Sequence, residues 1–310
     1  MNFGWLPPEK LDGLDLSPPP DPPANVAVLA RASRALGAPP RAYVGLAEWR
    51  VREWVGRLYP AKAKEVLWMD HYIANYNCLE FNATHYRIYT PDEVRRWAGK
   101  AIDRDFLFLP KLLQWITHDS GFNGAEEVTA QFLEGVAAFG EHLGPVFLQL
   151  PEAFAPYPAA RRALFRYLAT LPNEQRFFLE LRHPGWFADR AVRAELFTAL
   201  RDMRIGALIT DTPGRRDVCH MELSLPEVFI RFVAKSRHPT TYARIDAWAA
   251  RLKAWLDAGL ESFYFIVHTG QSAPETSLYV VDALNRTCGL NIRSPHPAAP
   301  DFNPFDDVRR

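Results

Sequence analysis

Apolar residues in this chain come in short, unbroken runs rather than in alternation. Tyr43–Leu46, Cys78–Asn82, Phe106–Leu109, Val146–Leu150, Phe177–Leu181, Ile205–Thr210, Val228–Val233 and Phe263–His268 are rich in β-branched and aromatic residues. Runs of this kind suit parallel strands buried on both faces. Their starts lie about 22 to 40 residues apart, the length of a strand, loop and helix unit. The gaps carry helical periodicity over Lys62–Ala74, from Thr90 onward, and over Glu126–Leu143, Ala159–Leu171, Ala188–Met203, Ile245–Ala258 and Glu275–Thr287. Thr90-Pro91-Asp92-Glu93 reads as a helix start, with Thr90 as cap, Pro91 in the first turn and Glu93 completing a capping box. The gap from Asp211 to Glu227 is too short for a helix. Eight strands alternating with helices predict an α/β protein, a single-domain (β/α)8 TIM-type barrel. An open doubly wound sheet is the alternative, but no GxGxxG follows the first strand.

The pattern fails at both ends. Residues 1–40 hold nine prolines, including Pro18-Pro19-Pro20 and Pro22-Pro23. Without backbone donors and with φ fixed, this stretch predicts an extended arm with no regular helix or sheet, either laid across the body through Phe3, Trp5 and Leu6 or partly disordered. The barrel then spans 41–293, and 294–310 forms an aperiodic tail.

Composition narrows the function classes. With 36 basic and 36 acidic residues the net charge is zero, which argues against general affinity for nucleic acid or anionic membranes. The three cysteines, Cys78, Cys219 and Cys288, are far apart and form no CxxC, so neither a disulfide scaffold nor a structural zinc site is expected. No apolar run is long enough to span a membrane and no secretory leader is visible, so the expected location is cytoplasmic.

In a parallel barrel the working residues stand at the carboxyl ends of the strands. Glu80, Gln149, Glu180 and Arg231 interrupt apolar strands there, and a buried charge in a strand demands a partner. Alternation puts Glu80 with Asn82, and Glu180 with Arg182, on common sides. Two readings stay open: a structural ion cluster inside the barrel mouth, or contact with a ligand. As working groups, Glu80 and Glu180 are candidates for an acid/base pair, with Asp211, Lys111 and His183 as further catalytic candidates. Asn82, Thr84, Tyr86, His118, Gln149, Arg182, Trp186, Arg231 and His268 are candidates for ligand binding. Glu80, Glu180, Asp211 and His183 or His268 also offer oxygen and nitrogen donors for a divalent metal, although no short metal motif is present. Arg215, Arg216, Lys235, Arg237 and His238 form a basic group after the sixth and seventh strands, where barrels often bind phosphate. Loop histidines and aromatics such as Trp49, Trp54 and Trp115 serve more often as braces than as ligands.

Several segments in order resemble domain-of-unknown-function family 72, the YecE-like proteins. Glu80-Phe81-Asn82-Ala83-Thr84-His85-Tyr86 is similar to its ExNxTFY segment, and Trp97-Ala98 and Ile116-Thr117-His118 to its RWA and ITH. Leu143–Pro151 resembles its LGPxLxQLP and Glu180–Trp186 its E-x-RHPSW. Thr210-Asp211-Thr212-Pro213 and Ile230-Arg231-Phe232 resemble its TDTP and VRF. The likeness runs over about residues 43–285 and implies a barrel of the xylose isomerase and endonuclease IV class, with these residues in one pocket; it implies no activity. The chain departs from the pattern at Val44–Trp49, at Val233-Ala234 and at Val267–Gly270. The expected function is binding of a phosphorylated or polyhydroxylated, sugar-like ligand at the strand carboxyl ends, with hydrolase or isomerase chemistry. The alternatives are a nucleic-acid phosphodiester enzyme and a non-catalytic scaffold whose Pro-rich arm meets a protein partner.

Overall fold

Eight short strands run parallel around one axis: β1 (Arg41–Leu46), β2 (Cys78–Phe81), β3 (Leu107–Pro110), β4 (Val146–Gln149), β5 (Phe177–Glu180), β6 (Gly206–Asp211), β7 (Glu227–Val233) and β8 (Ser262–His268). The computed structural model describes residues 3–31, 39–234 and 238–296. The strand order is β3-β2-β1-β8-β7-β6-β5-β4. Its two ends meet through the parallel bridges Phe108–Leu143 and Lys111–Phe147 and through the Leu112 amide, which donates to the Phe147 carbonyl (2.9 Å). The sheet thus closes into a (β/α)8-type barrel in one domain.

The helices are α1 (Ala24–Leu29), α2 (Trp68–Asn75), α3 (Pro91–Ala98), α4 (Ala125–Ala137), α5 (Pro158–Leu168), α6 (Gly185–Ala188), α7 (Arg190–Asp202), α8 (Pro239–Ala258) and α9 (Ala273–Cys288). Among the described residues the β6–β7 connection holds only a 3-10 turn, Arg216–Val218, as its length predicts. The capping box of α3 forms: Glu93 N donates to Thr90 Oγ1 (3.4 Å) and Thr90 N donates to Glu93 Oε2 (2.9 Å). Boundaries shift where local chemistry overrides periodicity. α2 begins only at Trp68, after a 3-10 turn over Glu65–Leu67. α4 stops at Ala137, short of Gly140, whose φ of 59° leaves the helical region. α8 starts at Pro239, well before Ile245, because the His238 side chain caps Thr240 N.

Alternation along the strands builds the interior in layers. Tyr43, Cys78, Leu109, Phe147, Phe178, Leu208, Phe229, Tyr264 and Ile266 fill the lumen. A separate, larger core packs the outward-facing strand residues against the helices. Moving two residues toward the carboxyl end on β2 through β7 replaces the apolar lumen with Glu80, Lys111, Gln149, Glu180, Thr210 and Arg231. A polar layer therefore floors the barrel mouth directly above aromatic rings, with Arg231 Cζ 5.4 Å from the Phe147 ring centroid.

The arm departs from the expectation of no regular structure. α1 forms immediately after Pro22-Pro23, because proline at a helix start gives up a donor that has no helical partner anyway. A 3-10 turn covers Pro8–Lys10. The arm is strapped to the body: Asn25 Nδ2 donates to the Met221 carbonyl (2.9 Å), Trp255 Nε1 to Asp21 Oδ2 (3.0 Å) and Arg216 Nη2 to the Ser17 carbonyl (2.9 Å). Residues 1–2 and 32–38 of the arm, and 297–310 of the tail, lie outside the described residues. No helix among those described is long and apolar enough to cross a membrane.

Candidate functional site

Glu80 from β2, Glu180 from β5 and Arg231 from β7 meet in the mouth, all 1% exposed or less. Arg231 Nη2 donates to Glu80 Oε1 (2.7 Å), its Nε to Glu80 Oε2 (2.9 Å) and its Nη1 to Glu180 Oε2. The remaining positions on these oxygens are also engaged. Asn82 Nδ2 (2.9 Å) reaches Glu80 Oε1 and His268 Nε2 (2.8 Å) reaches Glu80 Oε2. Arg182 Nε (2.6 Å) and Thr210 Oγ1 (2.8 Å) both donate to Glu180 Oε1. Every oxygen of the two carboxylates thus has a partner.

Electrostatics follow from that pairing. Burial alone would raise Glu80, but the Arg231 guanidinium and His268 outweigh it and hold the carboxyl well below its usual range. Burial likewise opposes ionisation of Glu180, and Arg182 and Arg231 overcome it, bringing the carboxyl down to about 2. Neither group is placed to release or take a proton near neutrality.

Lys111 differs. It is 8% exposed, and its hydrogen-bonding partner among the described residues is a neutral group, Gln149 Oε1 (2.8 Å). Burial and the nearby Arg231 bring its ammonium down to about 8. Gln149 Nε2 donates to the Leu150 carbonyl (3.0 Å) and lies 3.5 Å from His118 Nε2. His118 packs edge-on against His85, ring centroids 5.3 Å apart. His85 Nδ1 donates to the Leu112 carbonyl (2.8 Å), and burial, then Lys111, pull the ring down to about 4. With the histidines neutral, Arg231, Arg182 and Lys111 stand against two carboxylates, so among the described residues this layer carries one surplus positive charge.

Other candidates stand elsewhere. Asp211 follows Thr210 on β6 and faces the opposite side. It accepts from Trp248 Nε1 (2.6 Å) and pairs with Arg244 (2.9 Å) and Arg216 in the strand–helix layer, away from the mouth. Trp186 is fully buried with Nε1 donating to the Phe154 carbonyl (2.8 Å), so it is core and not a ligand platform. His183 Nδ1 accepts from Gly185 N (3.1 Å) as a loop brace. Thr84 Oγ1 donates to the carbonyls of Phe81 (3.0 Å) and Lys111 (2.8 Å), tying β2 to β3. Tyr86 is 75% exposed and projects to solvent.

The metal expectation fails on the same geometry. With Asp211 and His183 turned away and Glu80 and Glu180 occupied by guanidinium groups, no group of three or more His, Cys, Asp or Glu side chains among the described residues can hold a metal ion. In the basic group, Arg215 is committed to Glu152 and Asp217, Arg216 to Asp211, and His238 to Asp12 (3.2 Å). Lys235 and Arg237 lie outside the described residues.

Sequence reasoning missed two contributors and the seat of a third. Thr210 was hidden beside the more conspicuous Asp211. His85 lay in plain view within Glu80–Tyr86, but its burial depends on the β2–β3 turn. Phe3, far away in sequence, lies over Arg182, with the guanidinium carbon 4.6 Å from the ring centroid. A small opening of about 50 Å³ lies at the mouth between Ala47, Glu48, Trp54, His268 and Gly270. A larger cavity of about 700 Å³ lies at the opposite end of the barrel, lined by Arg41, Tyr43, Glu227 and Tyr264 among others.

Comparison with known proteins places this geometry in context. A family model described as "Protein of unknown function DUF72" matches residues 43–300. The UPF0759 protein YecE of Escherichia coli (strain K12) is 26% identical over 265 residues, covering 79% of this chain and 93% of that protein. The crystal structure of a DUF72 family protein from Enterococcus faecalis V583 superposes with a TM-score of 0.63 at 14% identity, covering 84% of this chain and 99% of that one. That of a DUF72 family protein from Thermotoga maritima MSB8 gives 0.61 at 19% identity, covering 79% and 99%. At these identities the two structures speak to the fold.

Proposed function

Because the chain belongs to the DUF72 family, whose function is unknown, the reading has to come from the site itself, and we propose that the barrel mouth binds a small phosphorylated, polyhydroxylated ligand through Lys111, Arg182 and Gln149. The observation that carries this reading is the surplus positive charge of the mouth layer. Among the described residues, Glu80 and Glu180 offset Arg231 and Arg182, whereas Lys111 meets an amide oxygen. A buried ammonium without a counter-charge is costly, and an anionic ligand supplies that charge. A phosphate oxygen also suits a compact ammonium better than a sugar hydroxyl alone does.

In this reading Glu80 and Glu180 fix the aim of Arg231 and Arg182 and do not themselves transfer protons. Lys111, brought down to about 8, is the proton-moving candidate for hydrolase or isomerase chemistry. Gln149 and Asn82 orient hydroxyl groups, with Gln149 holding the ammonium in place.

The test is titration calorimetry of the full chain with ribose 5-phosphate. A phosphate monoester has its second ionisation near pH 6, so between about pH 7 and 9 its charge changes little and the pH dependence reports the protein. Binding is expected to weaken as pH rises through about 8, where Lys111 loses its charge. Lys111→Met is expected to weaken it about tenfold or more at pH 7. Equal affinity in the wild-type chain and the Lys111→Met variant would sink the reading.

A further inference from the structure

We infer that Phe3 is a built-in occupant of a ring-binding subsite formed by Arg182 and Arg215, so that the ligand of this mouth is an anion carrying a flat aromatic ring, which displaces Phe3 when it binds. This deepens the reading above and rests on it. The arm reaches the mouth from afar: α1 and Asp21 are anchored against the β6–β7 connection and α8, and the chain then returns over the carboxyl ends of β5 and β6. There it docks by specific contacts. Thr212 Oγ1 donates to the Phe3 carbonyl (3.1 Å), and Gly214 N donates to the Gly4 carbonyl (2.7 Å). Gly4 adopts φ +63°, and a Cβ there would lie 2.5 Å from Thr212 Cγ2, so only glycine fits the crossing.

The two guanidinium groups under the arm are prepared for a flat partner. Arg182 is fixed by its Nε bond to Glu180, and Arg215 by bonds to Asp217, Glu152 and the Arg182 carbonyl (3.0 Å). Their Cζ atoms lie 4.6 and 5.0 Å from the Phe3 ring centroid. A guanidinium plane accepts a π face readily, but a phenyl ring brings no negative charge. Phe3 therefore satisfies the stacking half of the site and leaves the ammonium of Lys111, whose partner among the described residues is an amide oxygen, without a counter-charge. A ligand with both a ring and a phosphate answers both. A ring-free phosphate has no π face to lay on Arg182 and Arg215, so it gains nothing from displacing Phe3.

The probes are adenosine 5′-monophosphate, which has ring and phosphate, and ribose 5-phosphate, which has phosphate alone. Both are titrated into the full chain and into Phe3→Ala and Gly4→Val, the first removing the competing ring and the second blocking the crossing. Removing a competitor worth one cation–π contact or two is expected to tighten adenosine monophosphate about tenfold and ribose phosphate less than about twofold. In the wild-type chain, saturating adenosine monophosphate is expected to speed hydrogen exchange at the Gly214 amide as its Gly4 partner leaves; ribose phosphate is not. If adenosine monophosphate tracks ribose phosphate in all three chains and Gly214 keeps its protection, the ring subsite is wrong, while Lys111-dependent ribose phosphate binding still supports the anion site. If neither probe binds any of the chains, both ideas fall together. Phe3→Ala removes a partly buried arm side chain at the edge of the core and leaves Gly4 and every strand residue in place, so it answers the question even where Gly4→Val unfolds the chain.

Discussion

Two buried ion networks lie back to back across β6, separated by one residue. Thr210 points inward to Glu180 and the Arg231 network; Asp211 points outward to Arg244, Arg216 and Trp248. Both carboxylate sets are buried, both are paired to arginine, and burial opposes ionisation in both while arginine restores it. The difference lies in what surrounds them. Asp211 is enclosed between strand and helix, with every contact supplied by the fold. The inner network opens toward the mouth, has Lys111 as an extra cation, and is covered by one ring of the arm. Buried charge alone therefore does not mark a site; the proposed site rests on an unbalanced charge near a surface.

The sharpest way to break this comparison is to remove the hub of the inner network. Arg231→Met leaves Glu80 and Glu180 facing each other without their guanidinium, and losing one partner of a buried ion set costs about 3–5 kcal/mol. Urea denaturation should show that loss; a change below about 1 kcal/mol would mean the carboxylates are not held by Arg231. The outer network is expected to be less sensitive to a conservative change. Asp211→Asn keeps one carbonyl acceptor for Trp248 but strands Arg244, which is 2% exposed, at a cost of about 2–3 kcal/mol. Its ribose phosphate affinity should equal that of the wild-type chain; lost affinity would join the two networks functionally.

Acid should weaken both sides from the same onset, with distinguishable end points. His85 on the inner side and His220 on the outer side have ordinary values of 6.5 and are brought down to about 4 and about 3 by burial. The unfolded chain then binds protons first as pH drops below 6.5, so stability declines from there by up to about 1.4 kcal/mol per pH unit per histidine. The decline from His85 ends near pH 4 and that from His220 near pH 3. Glu180 adds its own loss between 4.5, its ordinary value, and about 2. Stability curves of His85→Gln and His220→Gln should each flatten below pH 6.5; a curve unchanged by both would show that neither ring is held neutral by the fold.

The barrel was legible because parallel strands buried on both faces leave continuous apolar runs, and Glu80, Glu180 and Arg231 stood out by interrupting them. Asp211 was misplaced because its partner Arg244 sits on a helix across the strand–helix layer, and alternation from Thr210 shows its side only once Glu180 is known to be Thr210's partner. Trp186 carried the same ambiguity: a tryptophan beside the mouth and a tryptophan beneath it look alike until Phe154 is found against its ring and nitrogen. A course across the body through Phe3 was one of the two expected for the arm, but its seat was beyond reach. Proline content announces a stretch of restrained backbone, but the docking of Phe3 on Arg182 depends on a contact spanning more than half the chain.

The smallest expected effect on stability decides most about the comparison. Lys111→Met removes a cation whose own burial is unfavourable and which sits among two other cations, leaving a side chain of similar length beside Phe147 and Gln149. The lost bond to Gln149 Oε1 and the relieved repulsion from Arg231 oppose each other, so thermal and urea unfolding should move by less than about 1 kcal/mol in either direction. Phosphate binding should nevertheless fall about tenfold. That pairing is the reverse of Asp211→Asn, which loses stability and keeps binding. If Lys111→Met instead destabilises the chain as much as Asp211→Asn does, Lys111 is a strut of the scaffold like Arg244, the mouth has no charge to spare, and the two networks differ only in which side of β6 they occupy.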